Sequence, residues 1–174
     1  MTAVANATFT AAQFNTYVRD NLNETAPAKS TAAGQIFVST AVNAIAARTP
    51  DSDAIATSQG TSSTSYTDLA TVGPTVTVTT GVSAIVFLRA NVSNATATNV
   101  SSMCFAVSGA STVAAADTNS ISQVNSGTAS GNRFGAAFFV ESLTPGSSTF
   151  QAKYKSSGAT TATFADRELA VIPL

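Results

Sequence analysis

Residues 75–93 read TVTVTTGVSAIVFLRANVS, and this stretch decides the fold class. Its first five residues alternate threonine with valine, the period-two pattern of a strand with one buried and one exposed face. Beyond a turn signal at Thr80 and Gly81, the run 85–88 (IVFL) is apolar on both faces, which is typical of a central strand. Two neighbouring strands with different degrees of burial predict a layered, mainly β domain.

The same alternation continues along the rest of the chain. Inward-facing positions are predicted at Met103, Phe105 and Val107, at Phe134, Ala136, Phe138 and Val140, and at Phe150, Ala152 and Tyr154. Further strands are expected over 55–59, 64–70, 121–125 and 167–174. Residues 49–53 are predicted to form a loop, and 108–132 to carry the longest loops. Eight or nine strands with turn signals about every ten residues predict an antiparallel β-sandwich of jelly-roll type.

A short amphipathic helix is predicted before the sandwich. Thr10 and Gln13 have the spacing of a capping box, and Phe9 and Phe14 that of a hydrophobic staple. The apolar residues that follow have helical spacing and form one stripe: Phe14, Tyr17, Val18 and Leu22. The pattern ends before Pro27, because proline disfavours helical geometry in the preceding residue.

The expected organisation has three parts. Residues 1–33 hold a tail, the helix and a linker of small residues, 34–50 form a β-hairpin, and 51–174 form the sandwich. A helix of about four turns is marginal alone in water, so its stripe must pack on something. One alternative is that it folds back on its own domain. The other, favoured by the linker, is that Phe9 and the stripe anchor the chain to a partner subunit or to copies of itself.

Composition argues against catalysis. The chain has no histidine, no tryptophan and a single cysteine, Cys104. Histidine is the usual general base near neutral pH and the commonest metal ligand, and cysteine-based zinc sites need several ligands. Cys104 lies in an apolar run and is interpreted as a buried small hydrophobe. We therefore predict a non-enzymatic protein with no catalytic residues, metal site or cofactor.

The acidic residues suggest no convincing alternative site. Asp51 and Asp53 could supply two oxygen ligands to Ca²⁺, but a loop site needs more carboxylates and a turn glycine, so a loop-capping role is favoured. The run 166–168 (DRE) is interpreted as forming surface ion pairs. A glycosidase-like pair such as Glu141 with Glu168 is permitted by the sequence, yet nothing favours it.

Charge and hydropathy constrain the partners. Only 10% of the residues are charged, the formal net charge is −1, and the eight basic residues form no patch, so nucleic acid is not expected. No apolar run approaches the roughly 20 residues that span a bilayer. The N-terminus lacks the pattern of a signal peptide, which predicts synthesis in a cytoplasm. So little charge is typical of a chain that lives in an ordered oligomer.

Residues 9–23 (FTAAQFNTYVRDNLN) and 34–48 (GQIFVSTAVNAIAAR) resemble the N-terminal modules of virion proteins from tailed phages of actinobacteria. Residues 143–154 (LTPGSSTFQAKY) and 167–174 (RELAVIPL) are similar to the closing strands of the same set. These proteins are described as capsid decoration, head-fibre, minor tail or tail-fibre proteins. The resemblance implies non-catalytic structural work in the virion and a homotrimer.

The resemblance thus implies a structural protein of a bacteriophage particle, an oligomeric capsid decoration (head-fibre) protein, which the predicted N-terminal helix would dock to other virion proteins. The nearest alternative is a minor tail or tail-fibre subunit. Another is a carbohydrate-binding adhesin domain that recognises a host-surface glycan, although the absence of tryptophan weakens this reading.

Overall fold

A computed structural model describes residues 8, 10–23, 29–94, 96–125 and 131–174. The chain divides into two compact units, Met1–Arg48 and Thr49–Leu174. The anchor helix predicted from the sequence belongs to the first unit and the sandwich to the second.

The first unit contains the predicted helix and hairpin. The helix comprises α1 Ala11–Phe14, a π-helical turn Asn15–Arg19, and α2 Asp20–Asn23. The capping box is confirmed: the Gln13 N–H donates to the Thr10 hydroxyl over 3.2 Å, and the Thr10 N–H donates to Gln13 Oε1 over 3.0 Å. Phe9 lies outside the described residues, so the staple stays a prediction.

The hairpin pairs β1 Ile36–Ala41 with β2 Ala44–Arg48. The sequence places its turn around 40–42, whereas in the structure the turn comes slightly later, at Val42 and Asn43. Asn43 has a φ of +57°, a left-handed conformation that asparagine tolerates better than most residues.

The second unit contains nine strands within the described residues. They are β3 Asp51–Ile55, β4 Gln59–Thr61, β5 Thr75–Thr80, β6 Ala84–Asn94, β7 Val100–Gly109, β8 Ser120–Val124, β9 Asn132–Val140, β10 Gly146–Ser156 and β11 Ala162–Pro173. One sheet has the order β5-β10-β7-β8. The other has the order β3-β11-β6-β9, and β4 also pairs with β11. All these pairings are antiparallel.

The strand order is that of a jelly roll. If β3 and β4 are counted as one interrupted strand, eight strands form two four-stranded sheets, and most connections cross from one sheet to the other. The predicted mainly β, antiparallel sandwich with one short N-terminal helix and a hairpin is confirmed. The weak strand predicted at 121–125 is β8, whereas 64–70 contributes only an isolated bridge between Thr67 and Tyr154.

The core lies between the two sheets and follows the period-two pattern. The inward residues of β7 and β10 are confirmed as buried: Met103, Phe105, Val107, Phe150, Ala152 and Tyr154. Aromatic rings fill its middle, where Phe105 meets Phe138 edge to face with centroids 5.8 Å apart. Such edge contacts suit the charge distribution of aromatic rings.

The loop predicted at 49–53 is wrong in its second half, since β3 begins at Asp51. The polar residues here suggested a loop, but the segment instead pairs with β11 as an antiparallel strand. Val171 lies opposite Asp51, and Leu169 lies opposite Asp53. The Asp53 carboxylate accepts the N–H of Thr75 over 2.8 Å and so connects β3 to the start of β5. An edge strand tolerates such polar side chains because only one of its sides is paired.

The apolar pattern of 134–140 also predicts a second long buried strand, and this prediction is wrong. The inner row of β9 is apolar as predicted, and Phe134 and Phe138 pack against the core. However, β9 lies at the edge of its sheet, and only Val140 of its nine residues is buried. A side-chain pattern identifies the inward face of a strand but not whether the strand has one neighbour or two.

Arg167 is fully buried, contrary to the expectation of a surface residue. Its guanidinium donates to the carbonyl oxygens of Thr57, Thr71 and Gly73 over 3.3–3.4 Å and lies 5.4 Å from the centre of the Tyr154 ring. The partners described for it are neutral oxygens and an aromatic face. Arg167 therefore ties the segments on either side of β4 to the core.

Replacing Arg167 with alanine is expected to lower the free energy of unfolding by about 2–4 kcal/mol, because buried carbonyl oxygens lose a charged donor. Denaturant titration followed by circular dichroism measures the change. Arg133→Ala is the matched control: Arg133 forms an exposed ion pair with Asp166, whose loss should cost less than about 1 kcal/mol. Equal destabilisation by the two variants would contradict the structural role of Arg167.

Candidate functional site

The anchor helix presents its apolar stripe to solvent to a large degree. Phe14 is 49% exposed, Tyr17 47% and Leu22 60%, while Val18 is half-buried. No described residue of the helix is buried. The structure thus places the four described residues of the predicted anchor on one short helix.

A π-helical turn lies in the middle of this helix, where the Asp20 N–H reaches the Asn15 carbonyl. The side-chain amide of Asn21 donates to the Tyr17 carbonyl over 2.8 Å and satisfies a backbone group in the widened turn. π-Helical turns cost regular hydrogen bonding and are frequent at functional sites. Sequence periodicity did not reveal this turn, because one inserted residue changes the helical spacing only slightly.

A second candidate surface is the outer face of the β3-β11-β6-β9 sheet. An open groove of ≈ 520 Å³ lies there, lined by Phe87, Leu88, Arg89, Gly135, Ala136, Ala137, Glu168 and Ala170. The small side chains of β9 and β11 leave the space, and Phe87, 42% exposed, forms an apolar wall. Phe139, on the same outer row of β9, is 59% exposed.

Two ion pairs border this surface. Arg89 on β6 pairs with Glu168 on β11, and Arg133 on β9 pairs with Asp166 over 2.9 Å. The expectation that Asp166 and Glu168 form surface ion pairs is therefore confirmed. The sequence did not predict the exposure of Phe87. A strand that is apolar on both faces has the same sequence pattern whether its outer face is covered by other segments or open to solvent.

The glycosidase-like pair is not brought together. Glu168 lies opposite Arg89, which in turn lies opposite Gly135 in the sheet. Glu141 lies six residues beyond Gly135 along the chain, about 20 Å away at the rise of a strand. Carboxylates in glycosidases stand within roughly 10 Å of each other.

Several other carboxylates in the described part of the chain make structural contacts. Asp68 pairs with Lys153 over 2.8 Å, and the Asp51 carboxylate accepts the N–H of Ser52. Among the described residues, no group of three or more histidine, cysteine or acidic side chains could hold a metal ion. The non-enzymatic character of the chain remains a prediction. No helix in the described part of the chain is long and apolar enough to cross a membrane.

Part of the outer face of the other sheet, around β7 and β10, is covered by the chain's own loops. The Tyr66 hydroxyl donates to Asp117 over 2.7 Å, and Lys155 on β10 reaches the same carboxylate over 2.6 Å. The Lys155 ammonium also lies 4.8 Å from the centre of the Tyr66 ring. Hydrogen bonds from Lys155 and Tyr66 hold the pKa of Asp117 below its usual value.

Cys104 lies beneath this cluster and is fully buried, as predicted. Burial raises the pKa of its thiol to about 12. The thiolate is the reactive form, so this environment makes Cys104 inert rather than nucleophilic.

Cys104 is expected to resist thiol reagents in the folded protein at pH 8, where a pKa of about 12 leaves roughly one thiol in 10,000 ionised. Mass spectrometry after alkylation should find no label without denaturant and one label in its presence. Ser58→Cys provides the control, because Ser58 is exposed and should add one rapidly labelled site. Rapid labelling of native Cys104 would contradict its burial.

Comparisons with known proteins identify no family. No protein-family model matches the chain, and no curated protein matches it. One solved structure to which the chain is similar is that of infectious bursal disease virus Gx strain. The likeness has a TM-score of 0.42 at 14% sequence identity and covers 73% of this chain but only 33% of the viral chain.

Proposed function

We propose that this chain is a non-enzymatic structural protein of a tailed-phage particle, an oligomeric decoration (head-fibre) protein of the capsid. In this proposal the anchor helix docks on another virion protein and the jelly roll is displayed. A minor tail or tail-fibre subunit is the alternative position in the particle. The N-terminal resemblance over residues 9–23 and 34–48 supports the phage origin.

The observation that carries the proposal is the exposed apolar stripe on a capped helix. Three large side chains, Phe14, Tyr17 and Leu22, are each about half exposed or more. Burying the exposed half of each such side chain contributes roughly 1 kcal/mol, so that the stripe as a whole can support a modest docking affinity. The capping box favours the helical form before docking, which reduces the entropy lost on binding.

The low charge of the chain supports an oligomer. With 10% charged residues, its surface has few of the charges that keep free monomers soluble. The homotrimer belongs to the proposal through the same resemblance.

Phe14→Asp with Val18→Asp is expected to remove the protein from purified particles, because two carboxylates cannot enter an apolar contact unpaired. Quantitative mass spectrometry of particles made with each variant measures the copy number. Thr16→Asp is the matched control: it adds charge to the exposed polar side of the helix and should leave incorporation unchanged. Normal incorporation of the double variant would refute the anchor.

Imaging of particles by electron cryo-microscopy distinguishes the two positions. Copies arranged on the head lattice would support decoration, and copies confined to the tail would support the tail-fibre alternative. Particles that lack the protein entirely would refute both.

A carbohydrate-binding role has one specific observation in its favour, the groove beside Phe87. An aromatic wall, the polar pair Arg89–Glu168 and a volume of ≈ 520 Å³ suit a small saccharide on a host surface. If the groove binds glycan, Phe87→Ala is expected to abolish binding on a glycan array. Phe139→Ala, on the same outer face but outside the groove lining, should retain it. Equal binding by both variants would exclude the groove.

A further inference from the structure

Strand β9 is the longest edge strand of the sandwich and pairs on one side only. Its nine residues pair with β6 from Asn132 to Val140, and no described strand pairs with its other side. The other sheet edges are shorter: five residues in β3, six in β5 and five in β8. The outward backbone N–H and C=O groups of β9 thus form a template for an added strand.

β9 also lacks the features by which soluble proteins protect such edges. Its sequence, NRFGAAFFV, has one charged residue, Arg133, and no proline. Its register with β6 is continuous, so no bulge bends it away. By contrast, β3 carries two aspartates in five residues, charges that discourage pairing along that edge.

We propose that β9 pairs antiparallel with β9 of a second copy of this chain, across a two-fold axis that passes beside Ala136. Edge-to-edge pairing would satisfy the open backbone groups of both copies and join the two sheets into one. The proposal rests on β9 alone and is independent of the virion assignment.

The sequence of β9 is self-complementary in this register. On the inner face, Phe134 of each copy lies opposite Phe138 of the other, and the two Ala136 side chains meet at the axis. Both phenylalanines are half-buried in the single chain, so pairing would complete their cover. Aromatic pairs across strands stabilise such sheets.

The outer row fits the same axis. Arg133 of each copy lies opposite Phe139 of the other, which brings the alkyl stem of Arg133 beside an aromatic ring that is 59% exposed, while the guanidinium keeps its pair with Asp166. Gly135 lies opposite Ala137, a pair too small to clash. No two residues of like charge lie opposite each other in this register. The contact is also isologous, which means that both copies use the same surface patch.

The size of the contact sets its strength. Nine strand residues are about 30 Å long, and with side chains on both faces the strip is roughly 15 Å wide. It would bury about 450 Å² per copy and about 900 Å² in total, just below the usual range of stable complexes. We therefore expect a dimer with a dissociation constant in the micromolar range, measurable by sedimentation with protein at about 100 µM.

Ala136→Lys is the first test. It sets two ammonium groups against each other at the axis, while Ala136 is exposed in the single chain and should accept the change. Sedimentation equilibrium should show the dissociation constant raised at least about tenfold. Thr79→Lys, on the β5 edge of the other sheet, is the matched control and should dimerise normally. A wild-type mass of one chain at that concentration, a homotrimer that does not pair further to six chains, or equal pairing of both variants would overturn the proposal.

Cysteine cross-linking tests the register directly. Residues opposite each other at the axis have Cα atoms about 4.5–5.5 Å apart, within the range of a disulfide, so Ala136→Cys should form a covalent dimer under mild oxidation. The two copies of residue 137 would be about 8 Å apart, so Ala137→Cys should cross-link far less. Native Cys104 is buried and should not contribute. Efficient cross-linking of Ala137→Cys alone, or of neither variant, would refute pairing at Ala136.

Discussion

A β-bulge in β11 is the constraint on which much of the sandwich depends. β11 pairs with β6 along nearly its whole length, but the register shifts between Ala165 and Glu168. Before the bulge, Ala162 and Phe164 face the core, and after it Leu169 and Val171 do. Without the extra residue, one half of the strand would turn its apolar side chains to solvent, since a slip of one residue exchanges the faces. Asp166, with a φ of +48°, takes the conformation that the bulge requires.

The same bulge determines where charge lies. It directs Arg167 into the core, where its guanidinium holds the carbonyl oxygens around β4, and leaves Asp166 and Glu168 on the outer face. There they pair with Arg133 and Arg89 at the border of the groove. One backbone irregularity thus serves both the internal support of the sheet and the polar rim of its open surface.

Much of the fold could be predicted because alternation is a local signal. The inward residues of β7 and β10 and the cap at Thr10 depend on spacing within a few residues, and the structure confirms them. The edge position of β9 and the exposure of Phe87 depend instead on which strands lie next to each other, and on what covers a face. The burial of Arg167 was not predicted, because an arginine between two acidic residues has the pattern of a surface ion pair. The change of phase between Phe164 and Leu169 was the available signal for the bulge.

The two outer faces of the sandwich differ in how they are closed. Tyr66, Asp117 and Lys155 fasten loops over β7 and β10 of the β5-β10-β7-β8 sheet, so that part of the face is occupied by the chain itself. The opposite sheet keeps an exposed Phe87 and the open edge of β9. The exposed aromatic side chains and the long open edge therefore belong to the β3-β11-β6-β9 sheet, and a substitution at Tyr66, Asp117 or Lys155 on the other sheet would disturb the loops.

The proposed contacts are each small, and their strength depends on how copies are brought together. A stripe of four side chains and a nine-residue strand edge give modest affinities by themselves. If the helix fixes copies on a particle, the β9 edges of neighbours meet at an effective concentration set by their spacing, which can reach the millimolar range. A micromolar edge contact is then almost fully formed on the particle while it dissociates in dilute solution. Weak pairing in solution would thus protect the chain from open-ended association before assembly, when a long unprotected edge is otherwise a hazard.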